Sequence, residues 1–256
     1  MTQRRVAFIN EKGGTAKTTL AVNVAAFIAQ RRGLKVLLID TDTQGHAGKS
    51  LGIDVRNTTP NIFHTLTDGD VPLSRVIHKT AQPGLDVVPS YKQMAELPQV
   101  LAHNSRRAHR LADRLAEAAH YDWVVFDAPP SLGLTTTNIL VAATDVVVPV
   151  ATTYLALDGC AEMVETVRQV AEEYGRPDLR ISLVVPTLYR KTALADEVVA
   201  KLQEYFPERC ARAPLALNVA IDEAQSHGKT IWEYAPWSRG ATMLQQIAEE
   251  VERARP

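Results

Sequence analysis

NEKGGTAKTT, residues Asn10–Thr19, decides the fold of this 256-residue chain. Before it stands a short apolar run, Val6–Ile9. After it comes an Ala-rich helical pattern, Thr18–Gln30 (TTLAVNVAAFIAQ). A glycine-rich turn between a strand and a helix presents backbone N–H groups to an anion, and the helix N-terminus adds the positive end of its dipole. Lys17 then reaches the β- and γ-phosphates of a nucleotide, and the Thr18 hydroxyl ligates Mg2+. The common phosphate-loop pattern GxxxxGK[ST] is not met. Glu11 occupies the first glycine position and Ala16 the second, which leaves KGGxxKT. One lysine serves the phosphates; the other, Lys12, needs a separate reason.

Outward from this loop the chain alternates strand and helix patterns. Lys35–Ile39, Leu85–Pro89, Trp123–Phe126, Asp145–Val150 and Ile181–Val185 read as strands. Ser105–His120, Asp158–Tyr174, Leu194–Phe206 and Thr242–Arg253 read as helices, and Arg31–Gly33 stops the first helix. Gly52–Lys92, rich in Pro, Asn, Asp and Thr, reads as loops and short elements. Strands without polar alternation, separated by helices, predict an α/β fold with a mostly parallel twisted sheet covered on both faces. Ligands of such folds sit at the carboxyl ends of the strands. The glycine loop, Asp40 and Asp42 after KVLLI, and Asp127 after WVVF all fall there.

Composition narrows the class. Hydrophobic residues make up 46 % and charged residues 22 %, with a net charge of −1. That balance excludes a general polyanion binder, so any nucleic-acid contact requires a local basic patch. Cys160 and Cys210 lack metal or redox spacing, which predicts a reducing compartment and no zinc site. No run suits a signal peptide or a spanning helix. A cytoplasmic enzyme or switch is expected.

KGGTAKTT resembles the deviant Walker A motif of the ParA/MinD family of ATPases. The resemblance implies a single P-loop NTPase domain over residues 1–256 and an ATP site at Lys12, Gly13, Gly14, Thr15, Ala16, Lys17, Thr18 and Thr19. It also implies that Lys12 crosses a homodimer interface to the partner's nucleotide phosphates. There it stabilises charge on the transferred phosphoryl group as an arginine finger does. DTDTQGHAG (Asp40–Gly48) is similar to the family's first switch segment, with Thr43 and His46 in place of proline and asparagine. Asp42 then orients the attacking water and Asp40 supports the metal shell. YDWVVFDAPPSLG (Tyr121–Gly133) is similar to the Walker B strand and second switch, with Asp127 holding Mg2+. VPVATTYLALDG (Val148–Gly159) and NVAIDEAQSHGKTIWEYAPWSRGA (Asn218–Ala241) extend the match over nearly the whole chain and imply an adenine contact at Asn218.

Family members differ in the surface they track. Met243–Pro256 has core-helix spacing and mixed charge, so it reads as a packing helix rather than a membrane anchor. Nonspecific DNA is the expected track, through Arg190, Lys191, Arg209 and Arg212. Leu217 and Ala220 stand where the family often has arginines. The implied function is a slow ATPase, stimulated by a ParB-like or adaptor protein, that associates with the nucleoid and segregates or positions a chromosome, plasmid or other large cargo. The alternatives are a positioning ATPase acting on a membrane or protein scaffold without DNA binding, a reductase or synthetase of the same P-loop class, and an inactive ATPase that only binds nucleotide, against which Lys12, Lys17, Asp42 and Asp127 argue. With so few residues before Val6, no helix-turn-helix domain is expected there. Trp123 reads as strand core; Trp232, Tyr234 and Trp237 read as core, with packing under the nucleotide base as the alternative; and His46 reads as a contact to a partner or to the other subunit.

Overall fold

The computed structural model describes residues 3–154 and 156–254. Its strands are β1 (Arg4–Phe8), β2 (Val36–Asp40), β3 (His78–Lys79), β4 (Leu85–Val88), β5 (Trp123–Asp127), β6 (Asp145–Ala151), β7 (Ile181–Tyr189) and β8 (Leu215–Ala216). They form one sheet in the order β3-β4-β2-β5-β1-β6-β7-β8. Every pairing is parallel except that of β3 with β4. The longer helices are α1 (Lys17–Arg32), α2 (Leu134–Ala142), α3 (Ala156–Glu173), α4 (Ala193–Tyr205), α5 (Val219–Ser226) and α6 (Arg239–Arg253).

The strands show no polar alternation because both of their faces are covered. Ala7, Ile9, Leu37, Ile39, Val124, Phe126, Val146 and Val148 enter one core. Val6, Phe8, Val36, Leu38, Trp123, Val125 and Val147 enter the other. Helix α1 is Ala-rich because it is buried. Ala21, Ala25, Ala26 and Ala29 let it approach the sheet closely, and it stops where Gly33 takes the left-handed conformation. Helix α6 begins at the Ser238 cap, whose Oγ accepts from Ala241 N, and buries Met243, Leu244, Ile247, Ala248 and Val251. It is the packing helix its spacing predicts.

The expected helix over Ser105–His120 is broken into 3-10 turns at Arg107–His109 and Leu115–Ala118 around a short α segment, Arg110–Arg114. Tertiary hydrogen bonds compete with its ladder. Leu111 N donates to Asn138 Oδ1 and Asn138 Nδ2 donates to Arg107 O. The arginines meanwhile bind other carbonyls, Arg110 to Leu66 O and Arg114 to Thr65 O.

At the amino edge of the sheet, Arg4 ties α6 down. Its guanidinium forks onto Asp145 (Nη2–Oδ2 2.7 Å, Nε–Oδ1 3.2 Å), donates to the carbonyls of Val251, Glu252 and Ala254, and lies 4.6 Å from the Trp123 ring centroid. No helix among the described residues is long and apolar enough to cross a membrane.

Candidate functional site

The loop after β1 is tied to its neighbours by side chains that period and propensity do not reveal. Asn10 Nδ2 donates to Pro149 O of β6 (2.7 Å), and Asn10 Oδ1 accepts from Lys12 N (2.9 Å). Thr187 Oγ1 of β7 donates to Thr15 O (3.1 Å). Gly14 and Ala16 both adopt positive φ, +71° and +64°. The alanine at the missing glycine therefore keeps the glycine conformation and bears its strain.

Beside this loop lies a cleft of ≈ 550 Å³. Gly13–Thr19 line it together with residues from the segments at Asp42–Ser50, Pro130 and Gln225–Ser226. Lys17 points inward and is buried, with Nζ on Lys12 O (3.2 Å). Burial pulls its ammonium below the ordinary value, and the charges of Asp127 and Asp42 oppose that. Thr18 Oγ1 donates to Asp127 Oδ2 (2.7 Å), while the other oxygen, Oδ1, is buried without a partner. Burial raises the Asp127 carboxyl to about 7, with Asp42 adding to the rise and Thr18 and Lys17 opposing it. An orphaned carboxylate oxygen beside a threonine hydroxyl at the mouth of a phosphate loop fits a hard divalent cation, which takes oxygen ligands.

The two aspartates after β2 behave differently. Asp42 lines the cleft, and its Oδ1 accepts from Gln44 N (3.0 Å). Asp40 is fully buried, and both of its oxygens are taken by backbone N–H groups, Oδ1 by Asp42 and Oδ2 by Ala47 and Gly48. Burial and the nearby Asp127 push its carboxyl well above the usual range. It folds the switch loop. Gly45 closes that loop at φ +64°, where a Cβ would lie 2.5 Å from Ser90 O.

Lys12 does not line the cleft. Its exposed side chain leads away to Thr153, with Nζ 3.2 Å from Oγ1. Asn218 also lies outside the lining. Its Oδ1 caps α5 through Ala220 N. Instead the same segment contributes Gln225, whose Nε2 donates to Thr19 Oγ1 (2.8 Å), and Ser226. His46, Lys49 and Ser50 line the opposite wall. The sequence pointed to the segment holding Gln225, but not to that residue.

The basic residues divide. Arg190 and Lys191 follow the carboxyl end of β7, whereas Arg209 precedes the Cys210 bridge to Val184 near that strand's start. Arg212 N is held by Glu250 of α6. Arg209 therefore sits roughly 20 Å from Arg190 along the strand. Trp123 and Trp232 are core, the latter 5.8 Å from the Phe27 ring with Nε1 on Asn23 O. Tyr234 is half-buried and stacks on His227. Trp237 departs from expectation and stands 96 % exposed, on a turn closed by Ser238 N to Ala235 O.

Residues 3–181 match the family described as AAA domain. The chain is 38 % identical over 248 residues to the sporulation initiation inhibitor protein Soj of Bacillus subtilis, covering 96 % of this chain and 97 % of that protein. It is 39 % identical over 249 residues to the chromosome-partitioning ATPase Soj of Thermus thermophilus, covering 97 % and 95 %. Among solved structures, cobyrinic acid a,c-diamide synthase from Mycobacterium smegmatis, with bound ATP analogue and magnesium, superposes with TM-score 0.85 at 30 % identity, covering 98 % and 95 %. The loop after β1, the family match and near-full-length relatives agree, and the chain belongs to the ParA/MinD family of P-loop partition ATPases.

Proposed function

We propose that this chain is a Mg-ATP-dependent dimerisation switch that binds DNA without sequence preference as an ATP sandwich dimer. Hydrolysis then releases it, so that a chromosome, plasmid or other large cargo is segregated or positioned. One observation carries the reading: Lys17 is buried in the cleft, while Lys12, from the same loop, is exposed outside it. A lysine that does not face its own nucleotide site is available to a second copy's. Chromosome-partitioning relatives and a solved neighbour holding an ATP analogue with magnesium support the same assignment.

In this reading the backbone of Gly13–Thr19 cradles the phosphates and Lys17 neutralises them. Thr18 and Asp127 hold the Mg2+, which screens phosphate charge when bound. Asp42 orients the attacking water. Asp40 keeps Asp42 in place through its hydrogen bond to Asp42 N. Lys12 from the partner stabilises charge on the transferred group, so turnover is slow until the dimer forms and a ParB-like or adaptor protein completes the site. Arg190 and Lys191 meet DNA phosphates; Arg209 and Arg212, on the far end of β7, serve another contact or none. The working compartment is the cytoplasm, on the nucleoid.

The test is retention on nonspecific duplex with ATP, ADP or no nucleotide, using Asp42→Ala to hold the ATP state. Retention with ATP alone, falling steeply with salt and lost in Arg190→Glu/Lys191→Glu, is the expected result. An ATP-held dimer that ignores DNA refutes the track. The likeness to a synthase favours a biosynthetic ATPase as the second reading, and the same null result turns attention to it.

A further inference from the structure

Three exposed apolar side chains, Leu217, Val219 and Trp237, belong to segments that meet near the carboxyl edge of the sheet. Leu217 N donates to Tyr189 O, which places Leu217 against the turn carrying Arg190 and Lys191. A Cβ on Gly240 would lie 2.7 Å from Asn218 Oδ1, so the first turn of α6 abuts Asn218. That contact brings the turn that carries Trp237, and Arg239 at the start of α6, near the segment that holds Leu217 and Val219. Leu217 is 46 %, Val219 71 % and Trp237 96 % exposed. Arg190, Lys191 and Arg239 are exposed, and none of them has an ion-pair partner among the described residues.

We propose that this surface is a base-stacking platform for single-stranded DNA, with Trp237 as the stacking residue and the three cations on the phosphates. The proposal rests on the reading that the chain binds DNA. An indole this exposed has no packing partner, and its face matches the face of any nucleobase, whatever the sequence. A duplex hides those faces, so Trp237 discriminates unpaired from paired DNA while the cations hold both. An anionic lipid surface would meet the same charges. Yet a single protruding indole with two partly exposed aliphatics is a small apolar payload, and even a whole acyl chain gives only marginal anchoring. Stacking needs only the one ring.

Iodide reaches Trp237 selectively, because Trp123 and Trp232 are buried. With a non-hydrolysable ATP analogue and Mg2+, an oligo(dT) strand should quench the exposed-indole emission and shield it from iodide, while a blunt duplex should do neither. Trp237→Ala should weaken oligo(dT) binding about tenfold, the size of one base–aromatic stack. It should leave duplex retention within twofold, and Trp237→Phe should recover most of the loss. Unchanged oligo(dT) affinity in Trp237→Ala, with duplex retention intact, overturns the platform and leaves the DNA reading standing. A blue shift on phosphatidylglycerol vesicles with no response to oligo(dT) overturns it in favour of lipid. Failure of the wild type to hold either form of DNA overturns both readings together.

Discussion

Arg4→Met removes the guanidinium that joins β1, β6 and α6. Asp145 is left fully buried, its charge met only by the hydroxyls of Thr144 (2.9 Å) and Ser182 (2.8 Å). The carbonyls of Val251, Glu252 and Ala254 lose their donor. The Arg4 side chain is only 11 % exposed, so water replaces it poorly. Breaking a buried pair by removing one partner costs about 3–5 kcal/mol. For a chain of this size that lowers Tm by about 2–4 °C per kcal/mol, or roughly 8–16 °C at the middle of the range. Urea unfolding of the nucleotide-free protein measures it. Arg4→Met/Asp145→Leu should recover more than half of the loss, because the double variant strands no charge. A loss under about 1 kcal/mol in Arg4→Met, the range of an exposed pair, would show that the guanidinium is hydrated and the reasoning wrong.

Lys12→Ala should leave ATP affinity within a few-fold but lower hydrolysis by about 10³ or more, the scale of a lost charge-stabilising finger; nucleotide titration, sedimentation and phosphate release separate binding, dimer and chemistry. Gly45→Ala sets a Cβ 2.5 Å from Ser90 O at positive φ and should cost at least about 2 kcal/mol in chemical denaturation. Ala16→Gly relieves left-handed strain of about 1–2 kcal/mol against a smaller entropic loss in the unfolded chain, so the urea midpoint should rise slightly. Adding Mg2+ to the protein with an ATP analogue should raise Tm over the EDTA control, and Asp127→Ala should abolish that increment while leaving analogue binding measurable.

The sheet was legible because burial on both faces gives each strand an uninterrupted apolar run, and the phosphate loop because glycines and lysines have few other reasons to meet there. What escaped the sequence depends on which distant groups return to a residue. Asp40 reads as support for a metal shell, and its spacing gives no sign that Asp42, Ala47 and Gly48 N–H groups donate to its oxygens. Ser105–His120 has helical spacing, but Asn138, far along the chain, takes one of its backbone donors. Arg190 and Arg209 look like one basic region in one dimension, and the length of β7 separates them. Trp237 has the composition of core, and only the turn at Ala235–Ser238 shows that nothing covers it.

The bonds from Asn10 to Pro149 and from Thr187 to Thr15 tie the phosphate loop to β6 and β7 through contacts made within the fold itself. The ordering entropy that a flexible loop surrenders on binding is thus settled during folding. Nucleotide association at this loop should therefore proceed as docking to a preorganised cradle. Its calorimetric signature should lack the large heat-capacity change of coupled folding, and slow steps in the cycle should arise in subunit pairing rather than in nucleotide capture.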